Sequence, residues 1–397
     1  MRSRLCVWAL LFCLSLSLIP RPASASATED GLAPKAKSAI LMDVDTGTVL
    51  YEKNSGEKLP PASITKIMTM LLVMEALEDG KVSLGDQIRV SEHAASMGGS
   101  QIFLEPGEVM ELRDMLKAVA VGSANDASVA LAEHIAGTEE AFVDMMNRKV
   151  KELGMTGTRF QNTNGLPQSD HYTTARDIAI MSRELLKYPE ITTYTRIYED
   201  HLRKDSKNPF WLVNTNRLVK FYEGLDGLKT GFTRESKYCL AATAKRKDFR
   251  VLAVVLGEPD VKDRNREITR MLDYAFNQFT NLVLYKKGQK IGELRVDKGE
   301  KNRIEVRAPR QFSTLIRKGE NPKDYKTVLD WKRLSAPVRK GDSIGSVKVV
   351  KDGNTVSEMK LVSARHNPKA GLWTIIKRCT KKMLFLPEEA PADDLVS

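Results

Sequence analysis

The stretch that most constrains the fold is Pro61 to Gly80, PASITKIMTMLLVMEALEDG, in which a short polar entry leads into an apolar run. Because such a run is stable in water only when it is covered, it predicts a helix buried within a sizeable domain. The chain has 397 residues, with 42% hydrophobic and 28% charged. It can therefore hold two ordinary domains, or one large domain with an appendage, of a soluble globular protein.

Ser63 and Lys66 stand three residues apart at the entry to this helix, on one face. They are either a helix cap with a solvated neighbour or a nucleophile and its base. The same Ser-x-x-Lys spacing occurs at Ser55 and at Ser357. Ser55 lies in a polar turn, and Ser357 lies in a β-like run where residues three apart point to opposite faces. Only Ser63 opens a buried helix, where free N–H groups favour a developing oxyanion and burial favours a neutral lysine.

Residues 1–27 are predicted to be a signal peptide. Arg2 and Arg4 precede an apolar run, a proline follows, and cleavage is expected after Ala25 or Ala27. The alternative is an uncleaved membrane anchor, although the apolar run is shorter than the roughly 20 residues that span a bilayer. The mature chain would keep two distant cysteines, so we expect no disulfide framework despite export.

The segment 28–282 is predicted to be an α+β catalytic domain, an antiparallel sheet flanked and interrupted by helices. Two hairpins carry the sheet: one at 39–53 with alternating apolar strands, and one at 238–257 with a charged turn. A helical stretch breaks at Gly122-Ser123, and another helix closes the domain. Short β-like runs separated by glycine and charged turns then predict a small all-β domain at 283–366.

Positive charge is concentrated in the last third of the chain. From Val283 onward there are 26 Lys+Arg against 14 Asp+Glu, a net +12, against +11 for the whole chain. This asymmetry fits a region beside an anionic surface. Nucleic acid is a poor alternative for an exported protein.

Residues 367–397 are predicted to form an amphipathic membrane-anchoring helix and a loose acidic tail. Trp373 stands near the helix start, and basic residues occupy the polar face. The alternative is a helix docked on its own domain. The predicted apolar face consists of Leu372, Ile375, Ile376, Cys379, Met383 and Leu386.

Two further motifs accompany the Ser63–Lys66 pair. Ser123-Ala124-Asn125 lies at the break between two apolar helical runs, so its polar groups can face a cleft. Lys229-Thr230-Gly231 lies just before an apolar strand, and Lys229 and Thr230 could hold a carboxylate. Gly231 lacks a side chain, so a substrate backbone could lie against that strand. A second Ser-x-Asn, beginning at Ser206, lies in a strongly charged stretch.

These three motifs in this order, with GGSQIFLEPGE and YTTARDIA, resemble the low-molecular-mass penicillin-binding proteins, the serine-type D-alanyl-D-alanine carboxypeptidases. The resemblance covers nearly the full length. It implies a β-lactamase/transpeptidase-like catalytic domain, a small all-β domain and a C-terminal amphipathic helix. It also implies that the substrate is a peptidoglycan stem peptide ending in D-Ala-D-Ala, that β-lactams inhibit, and that no cofactor is used.

The resemblance further implies roles for individual residues. Ser63 would be the acylated nucleophile and Lys66 its base. Ser123 would relay a proton with Lys229, and Asn125 would bind the substrate amide.

The remaining implied roles concern the substrate's charged end and the oxyanion. Thr230 would hold the terminal carboxylate, supported by Arg264. The backbone N–H groups of Ser63 and Phe232 would form the oxyanion hole. The family often has a histidine where this chain has Asn164, so this chain departs from the family at that position.

Four alternatives to a carboxypeptidase follow from the same residues. A class A β-lactamase would share the motifs but would also carry a Glu-x-x-Leu-Asn pattern, which this chain lacks. A catalytically idle peptidoglycan binder would not need the intact motifs. An endopeptidase or transpeptidase of the same fold stays open, because water and amines compete for one acyl-enzyme. A zinc peptidase is disfavoured because the chain has no His-Glu-x-x-His pair.

Overall fold

The computed structural model describes residues 31–207 and 209–383. The predicted signal peptide and the acidic tail lie outside the described residues. The strands are β1 Ser38–Asp43, β2 Val49–Lys53, β3 Gln87–Arg89, β4 Val109–Glu111, β5 Glu199–Leu202, β6 Phe210–Val213, β7 Leu225–Thr233, β8 Lys237–Arg246, β9 Phe249–Glu258, β10 Phe279–Tyr285, β11 Lys290–Asp297, β12 Arg303–Arg307, β13 Phe312–Arg317, β14 Lys326–Trp331, β15 Leu334–Ser335, β16 Ser343–Lys351 and β17 Asn354–Val362. The α-helices are α1 Lys66–Glu78, α2 Glu92–Ala95, α3 Leu112–Lys117, α4 Asn125–Ala136, α5 Glu139–Glu152, α6 Ala175–Leu185, α7 Ile191–Thr195, α8 Leu218–Phe221, α9 Val261–Gln278 and α10 Leu372–Met383.

A five-stranded antiparallel sheet in the order β2-β1-β9-β8-β7 forms the centre of the first domain. Both faces of the sheet are covered, because successive residues of β1 and β9 enter different cores. Ile40 and Val254 pack toward α1 and α6. Leu41 and Val255 pack toward α9. The predicted α+β arrangement is confirmed, and both predicted hairpins form, as β1–β2 and β8–β9.

The helix that the apolar run predicts is α1, and it packs against α4 and α6. Ten of its 13 residues are buried. Helix α6 begins at a side-chain cap, since Thr174 Oγ1 accepts a hydrogen bond from the Asp177 N–H at 3.0 Å. The break predicted at Gly122-Ser123 is a π-helical turn at Ala118–Gly122 between α3 and α4.

The second domain is built from short antiparallel sheets around a core of its own. Strand β10 follows α9 directly and pairs with β13. The predicted boundary at residue 283 therefore falls inside β10. Helix α10 follows the last strands. None of the helices in the described ranges is long and apolar enough to cross a bilayer.

Candidate active site

Ser63 lies in a 3-10 turn, Ala62–Thr65, that leads into α1. Two glycines allow neighbouring segments to press against this turn. A Cβ on Gly165, which has φ +86°, would lie 1.9 Å from the Ala62 carbonyl oxygen, and one on Gly231 would lie 3.2 Å from the Ala62 Cβ. Ala62 has φ +48°, a conformation that costs an alanine about 1 kcal/mol or more. Packing on both sides maintains this strained backbone and holds Ser63 in place.

Lys66 begins α1, and its side chain is completely buried. Its Nζ lies 3.2 Å from Ser63 Oγ. It also donates to Asn125 Oδ1 and to the Asn164 carbonyl oxygen, each at 2.6 Å. Burial, and after it the charge of Lys229, lowers the pKa of Lys66 well below its usual value. The structure thus brings Ser63, Lys66 and Asn125 into direct contact, with the lysine favoured as a neutral amine.

Ser123 follows the π-helical turn with φ +64°, and α4 begins two residues later at Asn125. Both side chains are buried. Asn125 Nδ2 donates to the Gly98 carbonyl oxygen at 2.6 Å, while its Oδ1 accepts from Lys66. The break in the helix therefore places this motif against the first one.

Lys229 and Thr230 lie in β7, the edge strand of the sheet beside the Ser63 turn. Burial, and after it the charge of Arg264, lowers the pKa of Lys229 to about 7. Thr230 Oγ1 donates to Thr215 Oγ1 at 2.7 Å. The cleft therefore has two buried lysines whose charges repel each other, and this repulsion adds to burial in favouring the neutral form of Lys66.

Arg264 and Phe232 occupy different depths of the site. Arg264, in the first turn of α9, is buried, and its Nη2 donates to Asn265 Oδ1 at 2.9 Å. Phe232 is 52% exposed, and its ring centroid lies 4.4 Å from that of Tyr238. Phe232 therefore lies at the exposed rim of the site, whereas Arg264 contributes positive potential from a buried position.

The competing Ser-x-x-Lys serines have structural contacts. Ser55 Oγ donates to Glu52 Oε2 at 2.5 Å, within a network that includes Arg176. Ser357 lies in β17 of the second domain, with its Oγ 3.5 Å from the Ser313 carbonyl oxygen.

Sequence reasoning missed His171, which ties the nucleophile turn to a neighbouring loop. Its Nδ1 accepts from the Gln161 N–H at 3.0 Å, so Nε2 carries the proton and donates to Thr65 Oγ1 at 2.8 Å. Burial lowers the pKa of His171 to about 4. The same loop supplies the Asn164 carbonyl that Lys66 contacts. A lone histidine in a polar stretch has no sequence signal for this role.

Asp126 was also missed, although it directly follows Asn125. Its buried carboxylate accepts the N–H groups of Ile102 and Leu104, at 3.0 and 3.1 Å. The Asn125 N–H donates to the Ser100 carbonyl oxygen at 2.7 Å. Two consecutive residues therefore fix the loop at 98–104 beside the cleft. In the part of the chain that the structure describes, no cluster of three His, Cys, Asp or Glu side chains could hold a metal.

Family comparisons divide the chain at almost the same place as the structure does. The D-alanyl-D-alanine carboxypeptidase (peptidase S11) family model matches residues 24–260. The model for the penicillin-binding protein 5 C-terminal domain matches residues 279–369, beginning at the first residue of β10.

Individual proteins are also similar to most of this chain. The chain is 51% identical over 371 residues to D-alanyl-D-alanine carboxypeptidase DacF of Bacillus subtilis (strain 168), covering 92% of this chain and 95% of that protein. Penicillin-binding protein 5 of Haemophilus influenzae superimposes with a TM-score of 0.69 and 31% identity, over 84% of this chain and 98% of that one.

A third similar structure has a β-lactam bound. Penicillin-binding protein D2 of Listeria monocytogenes, in its ampicillin-bound form, matches with a TM-score of 0.56 and 30% identity, over 61% of this chain and 98% of that one. The predicted resemblance is confirmed: the chain belongs to the D-alanyl-D-alanine carboxypeptidase family, penicillin-binding serine hydrolases of peptidoglycan metabolism.

Proposed function

We propose that Ser63 is the acylated nucleophile and Lys66 the general base that activates it. The hydrogen bonds of Lys66 are the observation that carries this proposal. A neutral amine has two N–H donors and one lone pair. Once Lys66 is neutral, Asn125 Oδ1 and the Asn164 carbonyl oxygen can take both of its N–H donors, so its lone pair can accept the proton of the Ser63 hydroxyl, whose Oγ lies 3.2 Å from Nζ.

Asn125 and Ser123 are proposed to serve the acyl half of the substrate. Asn125 Nδ2 has two N–H groups, of which one donates to Gly98. The other can donate to the substrate amide carbonyl. Ser123 would pass a proton between Lys229 and the leaving amine, a role supported by the pKa of Lys229 near 7, where the lysine can both give and take a proton.

The terminal carboxylate of the substrate is proposed to lie over β7. Thr230 would turn its O–H from Thr215 to donate to it, while Lys229 and Arg264 supply positive potential from buried positions where charges are weakly screened. The close packing of Gly231 on the Ser63 turn brings β7 next to the nucleophile. The N–H groups of Ser63 and Phe232, from these two adjacent segments, would then form the oxyanion hole.

The reaction proceeds in two steps through these groups. Ser63 Oγ attacks the carbonyl between the two D-alanines while its proton passes to Lys66. The C–N bond breaks as the amide nitrogen takes a proton from Lys229 through Ser123, so the terminal D-alanine leaves with a free amine and the acyl group stays on Ser63. Water then attacks the ester and gives a proton to Lys229 through Ser123. Lys66 returns its proton to Ser63 Oγ, which frees Ser63 and the shortened peptide. A β-lactam would acylate the same oxygen.

We also propose that the exported chain is anchored peripherally through α10. The apolar side chains of Leu372 and Trp373 are 75% and 81% exposed. Arg378 donates to the carbonyl oxygens of Gly299 and Glu300. The helix therefore contacts its own domain through Arg378 and exposes Leu372 and Trp373, as an interfacial helix exposes its apolar side chains.

The catalytic proposal is tested with purified protein that begins at residue 28. A fluorescent penicillin is added to wild type, Ser63→Ala and the matched Ser-x-x-Lys control Ser55→Ala, and intact mass is measured. D-Alanine release from a pentapeptide ending in D-Ala-D-Ala is assayed in parallel. Wild type and Ser55→Ala should gain one label and release D-alanine, whereas Ser63→Ala should do neither. Labelling of Ser63→Ala would refute the assignment.

The anchor is tested by flotation with vesicles containing anionic lipid. Wild type and Val356→Glu, a control at an exposed apolar position of β17, should float, whereas Trp373→Glu should not. Equal flotation of all three proteins would refute the proposal.

A further inference from the structure

Phe103 combines two unfavourable features at the edge of the candidate site. Its side chain is 65% exposed, and its backbone has φ +55°. An exposed aromatic ring gains little from burial, and positive φ is costly for a bulky residue. Strained, exposed residues of this kind occur at functional sites, so Phe103 calls for an explanation beyond folding.

Hydrogen bonds on both sides of Phe103 hold this conformation. The Asp126 carboxylate accepts the N–H groups of Ile102 and Leu104. From the other side, Arg203 Nη1 donates to the Ile102 carbonyl oxygen at 2.9 Å, while its Nε donates to Glu108 at 2.7 Å. The ring is thus presented on a fixed loop, and Glu108 neutralises the charge of Arg203.

A second aromatic ring completes an apolar surface next to the Ser123 motif. The ring centroids of Phe103 and Phe210 are 6.1 Å apart. Leu212, on the same face of β6, packs on Gly122, where a Cβ would lie 2.8 Å from the Leu212 Cδ2. Trp211 is 60% exposed and belongs to the opposite face of the strand. We call Phe103 and Phe210 the aromatic lip.

We propose that the aromatic lip contacts the aliphatic side chain of the stem-peptide residue that precedes the two D-alanines. The inference rests on the proposed function, in which Asn125 binds the amide on the acyl side of the scissile bond. Asn125 and Asp126 hold the loop that carries Phe103, and one residue of extended chain spans roughly 3.5 Å. Asn125 would therefore bind the substrate amide beside this loop, and we place the residue before the D-alanine pair against the lip, which favours methylene groups over hydrogen at that position.

The test uses three synthetic pentapeptides, L-Ala-γ-D-Glu-X-D-Ala-D-Ala, in which X is norleucine, lysine or glycine. The ratio of kcat/KM for norleucine to that for glycine should be about tenfold in wild type, the effect of burying roughly two methylene groups. Phe103→Asn removes the ring and keeps a residue type that tolerates positive φ. Its ratio should fall to about one, whereas the matched aromatic control Trp211→Ala should keep the wild-type ratio.

Several outcomes would overturn the inference. A wild-type ratio near one, or an unchanged ratio in Phe103→Asn, shows that the ring does not contact residue X. An equal loss on all three peptides shows that Phe103 only supports the loop. Penicillin labelling of Ser63 in the same samples separates these cases from failure of the proposed function, since an unlabelled wild type would refute the site assignment first and the lip with it.

Discussion

Replacing His171 with glutamine should make the free energy of unfolding less sensitive to acid. The buried imidazole is neutral because its Nδ1 accepts the Gln161 N–H, and burial lowers its pKa from 6.5 to about 4. Between these two pH values the unfolded chain binds a proton at this position and the folded chain does not. The free energy of unfolding therefore falls as the pH falls through this window.

The size of the effect follows from the shift in pKa. Each pKa unit corresponds to about 1.4 kcal/mol. A pKa lowered from 6.5 to about 4 therefore makes the free energy of unfolding fall by roughly 3 kcal/mol across this pH window. At pH 7.5 the glutamine variant should itself be less stable by about 1–3 kcal/mol, because one buried hydrogen-bond partner is lost.

The assay is urea unfolding at pH 7.5 and pH 4 for wild type, His171→Gln and His201→Gln, an exposed histidine of β5 that serves as control. Carboxylates titrate in all three proteins, so their contribution cancels in the comparison. The loss of stability between the two pH values should be about 3 kcal/mol smaller in His171→Gln than in the other two. An equal loss in all three would refute the claim that the fold holds His171 neutral.

Three further predictions concern the nucleophile and its surroundings. Gly165→Ala should abolish penicillin acylation and lower the free energy of unfolding by about 3 kcal/mol or more, because of its positive φ and a clash with the Ala62 carbonyl. The control is Gly154→Ala, at a position with positive φ and open space around it, which should lower the free energy of unfolding by only about 1 kcal/mol. Equal costs by thermal unfolding would contradict the packing argument. Lys66→Met should slow acylation by about 10²–10⁴, measured by time-resolved intact mass, and wild-type rates would exclude Lys66 as the base. The KM for a D-Ala-D-Ala peptide should rise as the pH rises through about 7, where Lys229 loses its charge. Arg264→Gln should move this rise in KM to higher pH, because the charge that lowers the pKa of Lys229 is removed. An unchanged pH dependence of KM in Arg264→Gln would contradict the effect of Arg264 on Lys229.

Much of the fold was predictable because its signals are local. Each of the hairpins β1–β2 and β8–β9 consists of two apolar runs on either side of a polar turn. Thr174 is a residue type that caps helices, and α6 begins directly after it. The break at Gly122-Ser123 was visible from the small residues there. The predicted boundary at residue 283 lies within β10, and β10 continues from α9 without a turn that composition could reveal.

The candidate site was predictable in its residue types and not in its supports. Gly231 was expected to make room for substrate, and the structure shows it making room for the Ser63 turn. Asn164 contributes its backbone carbonyl to Lys66, which its side-chain identity does not signal. No periodic pattern in the sequence connects the residues that make such contacts.

The three motifs, their order and the buried helix that Ser63 opens can be read from the sequence, because spacing along one helix or strand sets which side chains share a face. The contacts of Lys66 with Asn125, 59 residues away, and with Asn164, 98 residues away, arise only in the folded chain. It alone also brought the charge of Arg264 close enough to Lys229 to lower that pKa. Burial and the distances between charges set these properties, and both exist only once distant segments have packed together.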